Sequence, residues 1–223
     1  MFIESDRMDS GLINFKWDNI DNYTDEQISY FLFLEGKSID VISKIRNINR
    51  EIVQKHIIEG KIKYRFLAKS RNPKELLESI ARAGKYDKIS FISSIDEENK
   101  RALLVYIREK YVEMQGKDKE TAIWIIGELK DRNCKDILIK ASVHKYVNVR
   151  RMAISAMGKI NDASFESALL RALDDDNPQV ISYAIRAFIK IKSKIAVDKI
   201  REIKSITDKE YLKRICDEYI NSQ

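Results

Sequence analysis

The chain has 223 residues, 44% of them hydrophobic and 34% charged, with seven Gly, two Pro and a formal net charge of +6. That length and apolar share can bury a sizeable core, and the scarcity of Gly and Pro argues against a loop-rich chain and for an all-helical one. Cys134 and Cys216 stand alone, which argues against a disulfide framework or a thiolate metal site, and no run reaches the roughly 18 apolar residues of a membrane span, so a soluble, cytoplasmic protein is expected.

Residues 1–23 form an acidic N-terminal segment without the apolar run of a signal peptide. Charge is uneven along the chain. Residues 1–36 carry eight Asp or Glu against two Lys or Arg, whereas residues 37–72 carry ten Lys or Arg against three acids. A local basic block is the electrostatic footprint of phosphate contact, although a solvated helix face gives the same count.

The basic block coincides with a helix-turn-helix module predicted over residues 24–72. Thr24 and Gln27 have the spacing of a capping box, and Ile28, Phe31, Leu32 and Leu34 form an apolar stripe that stops at Gly36. Ser38 caps a second helix in which Ile39, Ile42 and Ile45 should face inward. Asn47 suits the left-handed residue of a tight turn, and Ile48 can plug the angle between helices. Asn49 caps a third helix with Ile52, Val53, His56 and Ile57 on its apolar side and Arg50, Glu51, Gln54 and Lys55 on its outer side. Arg for guanine edges, Gln for adenine and Lys for phosphate are what a recognition helix offers. Beyond it, "GKIKYRFLAKSR" interleaves Lys61, Lys63, Arg65, Lys69 and Arg71 with Ile62, Tyr64, Phe66 and Leu67, a pattern that serves base stacking with phosphate contact or else a helix burying its aromatics. Arg46, Arg50, Gln54, Lys55, Lys61, Lys63 and Arg65 are therefore the candidate nucleic-acid-binding residues.

Residues 73–117 read as degenerate helical repeats. "NPKELLESIARAG" begins with Asn-Pro and ends on Gly84, "KYDKISFISSI" is a short helix, and "DEENKRALLVYIREKYVEMQG" is a longer one ending at Gly116.

Residues 118–223 repeat with a period of 31. Ala122, Ala153 and Ala184 align, as do Gly127 and Gly158, then Leu129, Ile160 and Ile191, then Leu138, Leu169 and Ile200, and then Ala141, Ala172 and Ile203. Each unit reads as two apolar helices around a short polar break, and Ala153, Ala156 and Gly158 suit a face where helices approach closely. Asn177-Pro178 supplies an N-cap followed by Pro at the first helical position. Lys130, Arg132, Lys159, Lys190, Lys192 and Lys194 fall at equivalent places and should form a secondary basic ridge along one edge of the stack.

The stretch "SVHKYVNVRRMAISAMGKINDASFESALLRALDDDNPQVISYAIRAFIKI" resembles HEAT repeats, particularly the phycobilin-lyase-like variety, in its Asp and Asn residues between units, the pair of Val149 with Arg150 or Arg151 that opens a helix, Ala153 and Gly158; the third unit, with Val180 followed by Ile181 and Ser182, lacks the Arg. The N-terminal module resembles the helix-turn-helix at the C-terminus of RecQ-type helicases and, more distantly, that of response-regulator activators, in which a Val and a His stand three residues apart as Val53 and His56 do; Asn47 replaces their usual Gly. These resemblances imply an all-α fold, an N-terminal helix-turn-helix followed by a right-handed α-α solenoid of HEAT-like repeats.

Catalytic chemistry finds little footing. His56 belongs to the apolar side of its helix, His144 lies in a turn with no second ligand at metal spacing, and Asp174, Asp175, Asp176 and Asn177 occupy the turn before a helix, where capping is their expected work. No phosphate-binding Gly loop or nucleophile elbow is present. HEAT-like alkylpurine DNA glycosylases are similar in size and stacking and use a Trp with a nearby Asp; "WDNID" at Trp17–Asp21 echoes that pair outside the repeats, while Trp124 lies inside one with Glu128 four residues on. The expectation is a non-catalytic adaptor without cofactor or metal, binding nucleic acid, duplex DNA first, through the helix-turn-helix, with a possible protein partner on the solenoid and no membrane. A pure protein-interaction scaffold is the alternative, and a glycosylase the lesser one.

Overall fold

The computed structural model describes residues 10–222, so the acidic residues on which the signal-peptide reading rests lie outside the described residues. Among the described residues the secondary structure is helical, with no strand. The chain divides into two compact units, Met1–Leu103 and Leu104–Gln223. The predicted segment 73–117 is thereby shared between them.

In the first unit a 3-10 turn at Trp17–Asn22 leads into α1 (Asp25–Leu34), α2 (Ile39–Arg46), α3 (Arg50–Lys63), α4 (Arg65–Ala68), α5 (Pro73–Arg82), α6 (Lys85–Ser94) and α7 (Glu97–Lys110), within which the unit boundary falls. The caps follow from the side chains. Thr24 and Gln27 form the reciprocal capping box of α1, Ser38 accepts from the Val41 amide, and Asn49 accepts from the Glu51 amide. Asn47 closes α2 in the left-handed region at φ 50°. Ile42, Val53 and Ile57 are buried at the centre of the three-helix packing, with Leu32, Phe33, Ile39 and Ile48 around them.

Two residues depart from the predicted inward stripe. Ile45 is 59% exposed and Ile52 is 45% exposed. For Ile45 the reason is the width of the contact: α2 is eight residues long and makes its main contacts with α1 and α3, so Ile42 reaches the core and Ile39 packs beside it, while Ile45, roughly 60° around the helix on the other side of Ile42, stays at the rim.

In the second unit the helices are α8 (Gly116–Glu128), α9 (Lys135–Ala141), α10 (Val147–Ile160), α11 (Glu166–Ala172), α12 (Pro178–Ile191), α13 (Val197–Ile206) and α14 (Glu210–Asn221). The long helix expected to run to Gly116 stops at Lys110. Turns follow, with Tyr111 and Met114 buried, and Gly116, at φ 51°, opens α8 instead of closing a helix.

The 31-residue period is a period of geometry. Lys130, Asn161 and Lys192 all take the left-handed conformation, with φ of 52°, 57° and 53°. The next residue in two of the three units, Asp131 or Asp162, turns the chain by accepting from the amide of Asn133 or Ser164. Helix α10 packs between α8 and α12, and α14 packs on α12 and α13, giving a layer of long helices backed by short ones. Small residues set the spacing: a Cβ on Gly127 would lie 2.8 Å from that of Ala156, and one on Gly158 would lie 3.2 Å from that of Ala187. Both Gly-to-Ala pairs are themselves one period apart. This is an all-α helical-repeat architecture of the solenoid type, in which each unit buries the face that its neighbour cannot bury alone.

Candidate interaction surfaces

The outer face of α3 is built as its periodicity requires. Val53, His56 and Ile57 are buried, and Arg50, Glu51, Gln54 and Lys55 are exposed. The His56 ring is not free for chemistry, because its Nδ1 lies 3.0 Å from the Oγ of Ser29, a fully buried side chain. Ser29 Oγ also accepts a 2.6 Å hydrogen bond from Arg46 Nη1.

Arg46 is therefore a correction to the expected binding face. Its side chain is 11% exposed, and its guanidinium donates to the carboxylate and carbonyl of Asp25 as well as to Ser29. It ties the end of α2 to the start of α1. Arg65 is similarly engaged, 2.7 Å from Asp87 and stacked 4.6 Å above the Phe66 ring. Arg50 pairs with Asp40 at 3.0 Å, but both side chains are 60% or more exposed, so solvent competes freely for that pair. Gln54, Lys55, Lys61 and Lys63 remain on the surface, Lys55 loosely beside Glu59 at 3.9 Å, Lys61 over Phe33 at 4.8 Å and Lys63 over Tyr64 at 5.3 Å.

The interleaved aromatics of "GKIKYRFLAKSR" are packing residues. Phe66 and Leu67 are buried, and Tyr64 stacks on Tyr30 at 5.6 Å while its hydroxyl accepts from Gln27. Sequence reasoning missed the apolar side chains that share the exterior of α2 and α3, Val41, Ile45, Ile52, Ile58 and Ile62, because aliphatic residues at helical spacing look the same in a core and at its rim.

The basic ridge of the second unit is only partly free. Lys159 is paired with Glu128, and Arg132 reaches Asp162 at 3.6 Å. Lys130 and Lys192 are exposed at the left-handed turn positions, and Lys190 and Lys194 are exposed without an ion pair among the described residues. Arg186 and Tyr183, one and two turns before Lys190 on α12, are exposed as well. Nothing in the repeat alignment marks them, since the aligned residues are Ser155 and Met152 in the preceding unit.

The remaining candidates take part in local hydrogen bonds and packing. Arg150 forms a two-pronged contact with Asp175, at 2.6 and 2.9 Å, and donates to the His144 carbonyl at 2.9 Å, so the Val-Arg pair that opens α10 clamps the turn before α12. Burial alone would raise the Asp175 pKa, but the Arg150 guanidinium and the Asn177 amide outweigh it and hold the carboxyl below its ordinary range. His144 Nδ1 accepts from the Tyr146 amide. Trp17 donates to Glu35 at 2.6 Å, and Trp124 is half-buried beside a Glu128 already occupied by Lys159. Among the described residues, no group of three or more His, Cys, Asp or Glu is placed to hold a metal ion, and no helix is long and apolar enough to cross a membrane.

Residues 112–190 match the family model of HEAT repeats. That span takes in α8 to α11 and nearly all of α12, so the matched residues are those whose geometry recurs. No curated protein is similar enough to the chain to count as a relative.

Proposed function

We propose that this helical-repeat protein is a non-catalytic scaffold whose N-terminal helices form a helix-turn-helix that contacts duplex DNA. The observation that carries the DNA contact is the division of α3: Val53, His56 and Ile57 anchor one side, and Arg50, Gln54, Lys55, Lys61 and Lys63 stand exposed on the remainder. That remainder also carries Ile52, Ile58, Ile62, Glu51 and Glu59, but its Arg, Gln and Lys side chains have the donors that phosphates and major-groove base edges accept. Similarity to HEAT repeats supports the scaffold part, because such repeats commonly mediate protein interactions.

Salt titration of duplex-DNA binding by the full chain tests this. Phosphate-driven binding weakens steeply with salt, with a logarithmic slope near −0.9 for each phosphate neutralised. Replacing Lys55, Lys61 and Lys63 together with Ala should flatten the slope by about 2 to 3 and weaken binding to all sequences alike, whereas Gln54→Ala should alter sequence preference. DNA binding that is absent at low salt, or unchanged in the triple variant, would refute the proposal.

A second reading has its own observation. Val41, Ile45 and Ile52 lie exposed on the same two helices, which suits docking of a protein better than a phosphate backbone. Ile45→Asp would disrupt protein docking while leaving the lysine-dependent salt slope in place.

A further inference from the structure

Between α10 and α12 lies a groove of about 370 Å³, lined by Ser155 and Lys159 of α10, by Tyr183, Arg186 and Lys190 of α12, and by Glu218 of α14. Its floor is the close approach of Gly158 to Ala187, where small residues bring two helices together and leave the flanking side chains standing above the seam.

The charges of the walls are unequal. Lys159 is already neutralised by Glu128, one period earlier in the same row. The next residue of that row is Lys190, which has no acidic partner among the described residues, and Arg186 has none either. Tyr183, Arg186 and Lys190 follow one another at intervals of three and four and so form a single stripe along α12. Tyr183 is 38% exposed, an open aromatic edge beside two free cations.

We infer that this groove binds a short acidic segment of a protein partner in extended conformation, its carboxylates on Arg186 and Lys190 and its chain against Tyr183. The spacing agrees: residues one helical turn apart are roughly 5–6 Å apart along α12, and alternate side chains of an extended strand are roughly 6.5–7 Å apart. Arg presents a planar fork to a carboxylate, and Lys adds a point charge. A nucleic acid is the poorer fit. Its affinity is the sum of many phosphate contacts, and this groove has two free cations with Glu218 beside them. The site lies wholly in the second unit and does not depend on DNA contact by the first.

Fluorescence anisotropy with the full chain tests the inference, using a labelled peptide of alternating Glu and Ser, the same peptide with Gln for Glu, and a labelled oligothymidylate. The Glu peptide should bind and the Gln peptide should not. Arg186→Glu with Lys190→Glu should weaken binding of the Glu peptide roughly tenfold or more, as loss of charge-assisted hydrogen bonds implies, while Lys192→Glu with Lys194→Glu should change it by less than about threefold, as expected for exposed charges outside the contact. Thermal unfolding of both variants near that of the parent confirms that folding is intact. The inference is overturned if the Glu peptide does not bind, if its binding survives the Arg186 and Lys190 reversal, or if oligothymidylate binds more tightly and is lost in the same variant, which would make the groove a nucleic-acid site.

Discussion

Gly60 is the residue on which the N-terminal packing turns. A Cβ at this position would meet the Tyr30 ring at 2.2 Å, and Tyr30 is 2% exposed and stacked on Tyr64, so the ring has nowhere to retreat. Gly60→Ala should therefore destabilise the first unit by about 3 kcal/mol despite the better helix propensity of Ala, the reverse of what an exposed helical Gly would show; urea unfolding measures it. Lys192 gives the opposite case. Its backbone sits at φ 53°, where a Cβ is unfavourable, and the residue one period earlier, Asn161, tolerates the same geometry better. Lys192→Gly should stabilise the protein by up to about 1 kcal/mol; an unchanged or lower urea midpoint would contradict it.

At the level of helices, a polar clamp joins two repeats beside their apolar faces. The Arg150 and Asp175 side chains are 16% and 8% exposed, and removing one leaves the other buried without its partner. Arg150→Ala should cost about 2–3 kcal/mol. The pH dependence has a definite sign. Because the folded state holds the Asp175 carboxyl below its ordinary value of 3.8, the stabilisation is complete above that value and is lost as pH falls through the lower, folded one. Between about pH 5 and pH 2 the parent should lose more stability than Asp175→Asn, in which the titrating group is gone; chemical unfolding at a series of pH values in that window would show parallel losses if the clamp contributes nothing.

Across the second unit, stability should be a sum of neighbouring contacts. Helix α14 packs on α12 and α13. Tyr219 is fully buried, contacts Phe188 of α12 with ring centroids 6.3 Å apart, and donates from its hydroxyl to the Ser193 carbonyl at 2.6 Å. A chain ending at Thr207 would lose α14 and uncover Phe188 and the apolar face of α13. Hydrogen exchange should accelerate most in α12 and α13 and least in α8, and the dye ANS should bind the uncovered surface. Uniform exchange across the unit would show that the repeats unfold as a single block instead.

Several helix starts and caps were legible in the sequence because they depend on neighbours a few residues away, whereas Gly84 and Gly116, expected to end helices, stand at the starts of α6 and α8. The capping box of Thr24 and Gln27, the left-handed Asn47, the Asn177-Pro178 start and the 31-residue register all reappear in the structure, and the helical-repeat architecture follows from them. What the sequence could not decide was which face of each helix meets another and which charges are taken. Ile42 and Ile45 have the same chemistry, yet one is buried and the other is not, because only Ile42 lies on the side of α2 that packs against α1 and α3. Arg46 and Arg50 likewise differ only by partner: Asp25 and Ser29 lie within reach of the first, far away along the chain but close once α1 and α2 have packed. Local hydrogen bonds and hydrophobic periodicity are properties of short stretches, whereas burial and ion pairing depend on distances that exist only after the helices have met.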